Sequence, residues 1–156
     1  MSCHFRNLGA VLAIILAFAN VPIQAAGAAI VPHRERCAGT LTNVSAGKLA
    51  FAGEGVGTHF GKYTIVGTNE FDNAGNVLNG KFSTTTSDGS KISGTYSGTY
   101  TPLASGEVRF DVRVFWLNGT GRLAGVTGEA DVVALLDSVS TGAGFEYITR
   151  GTLALP

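Results

Sequence analysis

The sequence predicts an all-β protein: an antiparallel meander of about eight strands closed into a barrel, with a two-sheet β-sandwich as the alternative. Three observations predict it. Apolar and polar residues alternate with period two in the clearest segments, the pattern of a half-buried strand. Turn signals built from Gly, Asn, Asp and Ser recur about every 10–15 residues. Glycine occurs 22 times in 156 residues, roughly twice its usual share, while good helix formers are sparse. Short hairpins with no crossover-length helix give a meander, and closing it removes exposed edges.

The elements follow in order. Residues 41–51 predict an opening strand and 58–71 a second. Asp72-Asn73-Ala74-Gly75-Asn76 is a turn, and 77–86 a strand. Ser87-Asp88-Gly89-Ser90 contains an Asp-Gly pair suited to a tight hairpin. In 91–101, Ile92, Gly94, Tyr96, Gly98 and Tyr100 alternate with Lys91, Ser93, Thr95, Ser97 and Thr99. After the turn 102–106 comes the clearest strand, 107–117. Val108, Phe110, Val112, Val114 and Trp116 fall on one face and Glu107, Arg109, Asp111 and Arg113 on the other. A helix would scatter those charges around its circumference. The turn 118–121, a strand at 129–137, the turn 140–144 and a strand at 145–153 complete the series. Gly61, Gly67, Gly94 and Gly98 are expected where the sheet bends.

Residues 1–28 read as a secretory signal peptide. His4 and Arg6 give a basic start, and residues 8–19 form an apolar run that is too short for a hydrocarbon core, which takes about 20 residues. Small residues around Ala25-Ala26-Gly27-Ala28 fit a cleavage site. The expected location is secreted or periplasmic, with no membrane span after cleavage. Residues 29–39 then read as a flexible N-terminal segment and 40–156 as the barrel domain. Cleavage removes Arg6 and no acid, so ten basic residues face eleven acids and the mature net charge is −1. With no basic surplus to neutralise phosphates, a nucleic-acid partner is excluded. Cys3 leaves as well, so Cys37 is a lone thiol: buried, paired between chains, or free and reactive.

Two motifs carry a resemblance. Gly53-Glu54-Gly55-Val56-Gly57-Thr58-His59-Phe60-Gly61 resembles a Gly-x-Gly-x-x-Thr-His-x-Gly signature of small secreted bacterial β-proteins. Asn118-Gly119-Thr120-Gly121-Arg122-Leu123-Ala124-Gly125-Val126-Thr127-Gly128 resembles the Gly-Gly-Thr-Gly-x-Phe-x-x-Ala-x-Gly segment of the allene oxide cyclase and dirigent proteins. Asn118, Leu123 and Val126 depart from that pattern. The resemblance implies an eight-stranded antiparallel barrel and a homo-oligomer, commonly a trimer, in which pocket acids and arginines handle phenolic ligands. It does not carry the cyclase's catalytic residues onto this chain. Gly119, Gly121, Gly125 and Gly128 are expected to form a structural turn motif at a tight corner.

Candidate chemistry is thin. Gly53 to Gly57 is not a phosphate loop, because a strand and no helix follows it. No paired His or Cys spacing suggests a metal, and no cofactor is expected. His33, Glu35 and Cys37 alternate and would share one side of an extended segment, but that segment reads as mobile. His59 with Tyr63 is a candidate pair at a cavity mouth, against the alternative of a histidine bonded to backbone. Glu129 and Asp131 lie two apart on one strand face and repel unless a cation intervenes, which Arg113 or Arg122 supplies. The candidate ligand-binding residues are therefore His59, Tyr63, Arg113, Glu129 and Asp131. The expected function is a non-catalytic binding or structural module for a small apolar or phenolic ligand. The alternatives are an isomerase or cyclase on the same barrel, and a cell-envelope or adhesive structural protein.

Overall fold

A computed structural model describes residues 27–156; the expected signal peptide thus lies, but for its last two residues, outside the described part. Eight strands run in chain order: β1 (Ala29–Ser45), β2 (Lys48–Gly57), β3 (Gly61–Phe71), β4 (Asn76–Thr86), β5 (Lys91–Pro102), β6 (Val108–Gly119), β7 (Thr127–Leu136) and β8 (Gly144–Leu155). Each pairs antiparallel with its neighbours, and β1 pairs with β8, so the meander is a closed barrel. The seam runs from Ala29 opposite Leu155 to Thr40 opposite Gly144. The sandwich alternative is excluded by this closure.

Alternation decides which residues face inward. On β6, Val108, Phe110, Val114 and Trp116 are buried while Arg109 and Arg113 face solvent. On β7, Ala130, Val132 and Leu136 are buried while Glu129 and Asp131 are exposed. Register shifts between Leu41 and Asn43, Thr68 and Glu70, Val77 and Gly80, and Ser93 and Gly94 add curl to the sheet.

The N-terminal reading needs correction. Residues 29–39 are not a flexible lead-in but the first part of β1, hydrogen-bonded to β2 on one side and β8 on the other. The expected opening strand at 41–51 is the end of β1, a turn at Gly47 with φ +72°, and the start of β2. The strand expected from residue 58 begins at Gly61, because Thr58, His59 and Phe60 form the β2–β3 turn. Of the glycines expected at bends, Gly61 takes φ +66° in that turn. Gly67 instead leaves room for the Phe51 ring.

The second glycine motif closes one end. Gly121 and Gly125 have φ of +61° and +77°. A Cβ on Gly119 or Gly128 would meet the carbonyl oxygens of Leu123 and Thr152. The 3-10 turn Gly121–Leu123 folds inward so that Leu123 and Val126 are buried. Arg122 ties this corner to its neighbours. Its Nε donates to Asp88 Oδ2 at 2.7 Å, and its Nη1 and Nη2 donate to the carbonyls of His59 and Phe60, both at 2.7 Å. Arg122→Ala is expected to lower stability by about 1.5–3 kcal/mol, the usual size for hydrogen bonds to a charged group. A thermal melt of the variant would show it.

Candidate functional site

One group of interior polar residues gathers where β8, β1, β2 and β3 run side by side. Thr149 lies opposite Glu35, which lies opposite Gly57. One step along, Tyr147 lies opposite Cys37, Cys37 opposite Gly55, and Gly55 opposite Tyr63. The inward positions of β2 here are Gly53, Gly55 and Gly57, so that strand contributes no side chain. A Cβ on Gly55 would stand 2.5 Å from the Tyr63 ring, and one on Gly57 3.1 Å from Glu35 Cγ. The Gly-x-Gly-x-Gly run is thus a vacant lane of wall that neighbouring side chains fill.

Those side chains form one hydrogen-bonded chain. His33 Nε2 lies 2.7 Å from Glu35 Oε1. Tyr63 Oη donates to Glu35 Oε2 at 3.3 Å, and the Tyr63 and Tyr147 hydroxyls are 3.0 Å apart. With the Tyr63 proton directed to Glu35, Tyr147 is the donor in the tyrosine pair. His33 is fully buried between Phe60, with ring centroids 4.5 Å apart, and Trp116, edge-on at 5.1 Å. Its Nδ1 has no partner. Donation from Nε2 to the carboxylate places a bare lone pair there, where the other tautomer would bury an N–H with no acceptor.

Burial pushes the Cys37 thiol from its ordinary 9.0 up to about 11, and the nearby Glu35 charge adds to the rise. Burial first, then the Glu35 charge, also raises Tyr63 and Tyr147, and burial alone raises Tyr96. Each group is held protonated more tightly in the barrel than in the unfolded chain. The stability this contributes is complete below about pH 9 and drains away as pH climbs through 9–11 and beyond. The urea midpoint is expected to fall steadily between about pH 9 and 11, with Tyr63, Tyr96 and Tyr147 ionising only as the protein unfolds. Cys37 is 5% exposed, which leaves no access for pairing between folded chains.

Beside this cluster is a cavity of about 90 Å³. Glu35, Tyr147 and Thr149 are on its wall, together with apolar residues such as Ile65, Phe82, Val114 and Trp116. The Thr149 hydroxyl is buried, with the residue 2% exposed, and has no hydrogen-bond partner. Further along β3, Asn69 accepts a hydrogen bond from Tyr96 Oη at 3.0 Å, so the other polar pair on the wall is satisfied internally.

Of the five residues singled out in the sequence, the structure brings only Tyr63 into this cluster. His59 is in the β2–β3 turn, its Nε2 3.0 Å from the Pro32 carbonyl and its ring 5.9 Å from that of His33. Arg113, Glu129 and Asp131 are together, but on the outer face. Arg113 donates to Glu129 Oε1 and Asp131 Oδ1, both at 2.8 Å, in solvent-exposed ion pairs that contribute about 0–1 kcal/mol each. They do not reach the cavity. Residues that sequence reasoning missed are His33, Glu35, Tyr147 and Thr149. The alternation of His33, Glu35 and Cys37 was the available signal for the first two. No group of three or more His, Cys, Asp or Glu side chains suited to a metal occurs among the described residues.

Fold and interior together define a closed eight-stranded antiparallel barrel with a buried carboxylate–imidazole–tyrosine cluster beside an apolar cavity. No protein-family model matches the chain, and neither a curated protein nor a solved structure matches it.

Proposed function

We propose that the barrel is a binding module for a small, largely apolar molecule bearing one hydroxyl or carbonyl group. The observation that carries this reading is a largely apolar cavity lined in part by Thr149, whose buried hydroxyl has no hydrogen-bond partner. A buried hydroxyl without a partner costs about 1–3 kcal/mol. A ligand group that bonds it recovers that energy, while the apolar walls take the rest of the molecule. The size of the cavity favours a compact occupant. It is smaller than the roughly 150 Å³ apolar cavity that admits benzene, and well below the approximately 300 Å³ at which drug-sized pockets begin. Phenol, larger than benzene, is therefore above the size that enters without rearrangement, and a three-carbon alcohol or ketone is the better match. Export through residues 1–28, giving a secreted or periplasmic protein, belongs to the same proposal and is tested by N-terminal sequencing of the protein recovered from the producing cell.

Trp116 is on the cavity wall and 2% exposed, so its fluorescence reports occupancy. Titration with 2-propanol is expected to change Trp116 emission saturably, and the absence of any change would remove the binding reading. Thr149→Val separates binding from stability. It removes an unsatisfied hydroxyl and is expected to stabilise the free barrel by about 1 kcal/mol. Affinity for 2-propanol should fall at the same time. A thermal melt paired with the same fluorescence titration checks both directions.

A further inference from the structure

The arrangement around Glu35 goes beyond holding a ligand. Glu35 and Thr149 are directly opposed inward residues on β1 and β8, so their Cβ atoms are neighbours about 5 Å apart. Both side chains are on the cavity wall. Glu35 has two donors fixed on it, His33 at Oε1 and Tyr63 at Oε2. A carboxylate has about four acceptor sites, so two remain for a bound molecule. The Thr149 hydroxyl has its proton uncommitted. A carboxylate and an uncommitted hydroxyl thus belong to neighbouring residues lining one largely apolar cavity. A carbonyl compound offers two groups that match such a pair, an acidic C–H and a carbonyl oxygen separated by a single carbon.

We propose that the barrel catalyses proton transfer at the carbon next to a carbonyl group in a small ketone or aldehyde, with Glu35 as the base and Thr149 as the donor to the carbonyl oxygen. Glu35 removes the α-proton. The C–H electron pair becomes the new C=C bond, and the carbonyl π pair moves onto oxygen, where the Thr149 hydrogen bond holds the developing charge. Return of a proton from Glu35 to the same carbon regenerates the carbonyl compound. Return to a carbon further along an unsaturated chain isomerises it. No oxidant, reductant or co-reactant is consumed. This inference rests on the binding reading, since the reacting molecule occupies the same cavity.

The test uses acetone in D₂O, with deuterium incorporation followed by proton NMR and occupancy followed by Trp116 fluorescence. The protein is expected to accelerate exchange at least about 100-fold over buffer, the lower range for a positioned base. The non-enolisable 2-propanol should inhibit it competitively. Glu35→Gln should return exchange to the buffer rate, and Thr149→Val should slow it about tenfold, as loss of one neutral hydrogen bond does, in a barrel that melts no lower than the parent. If acetone or 2-propanol alters Trp116 emission while exchange stays at the buffer rate, proton transfer is overturned and the binding reading stands. If neither molecule binds, both are overturned. Exchange that survives in folded Glu35→Gln also overturns the assignment.

Discussion

Phe60→Ala is expected to destabilise the barrel by about 3–5 kcal/mol, the usual cost of emptying a buried phenylalanine site. Phe60 is fully buried although it sits in a hairpin turn. Its ring packs on His33 at 4.5 Å and meets Trp116 and Tyr63 edge-on at 6.0 and 6.4 Å. The side chain is therefore a plug at the end of the barrel rather than part of a wall. Backbone collapse cannot fill the gap, because Arg122 holds the Phe60 carbonyl from across the opening. For a domain whose total stability is about 5–15 kcal/mol, this is a large fraction. Urea denaturation should show the midpoint falling with the slope unchanged, and His33 should become accessible to diethyl pyrocarbonate in the variant.

Gly55→Ala is expected to cost at the upper end of about 1–3 kcal/mol, as overpacking does. The added methyl would stand 2.5 Å from the Tyr63 ring and hydroxyl and 2.6 Å from the Arg36 carbonyl oxygen. The backbone contact has no rotamer by which to escape. Tyr63 has to move, and its bonds to Glu35 and Tyr147 move with it. The near-UV circular dichroism of the tyrosines should weaken along with stability. Combining Gly55→Ala with Tyr63→Leu should recover part of the loss, because the shorter side chain vacates the contested space. Additive losses in the double variant would show that the clash with Arg36 alone sets the cost.

The barrel wall was legible in the sequence because period-two alternation is written locally. The charged and apolar faces of 107–117 can be sorted without knowing what lies beside them, and β6 follows that sorting. The turn glycines were legible for the same reason, since φ near +61° at Gly121 and +77° at Gly125 is a local demand. The interior cluster is not local. Glu35, Tyr63, Tyr147 and Thr149 come from three strands, and only the register of β8 on β1 and of β2 on β3 brings them together. Residues 29–39 read as a flexible segment even though His33, Glu35 and Cys37 alternate along it. In fact Arg34 and Arg36 point outward, and the glutamate between them turns in. Arg113, Glu129 and Asp131 illustrate the converse. They do converge in space, but on the face of the sheet that meets water.

The seam between β1 and β8 has a consequence for how the chain acquires its fold. Glu35 and Cys37 are contributed by the first strand, and Tyr147 and Thr149 by the last. Hairpins between adjacent strands form from contacts close in sequence, but this ladder joins residues more than a hundred positions apart. Bringing them together carries the largest loop-closure entropy in the molecule, and pairings of such separation are formed slowly. The cavity and its polar cluster are therefore completed last: an open sheet of the first seven strands would carry His33, Glu35 and Tyr63 but neither Tyr147 nor Thr149. A nascent chain gains the whole site only when β8 docks, so ligand capture reports on completed closure rather than on strand content.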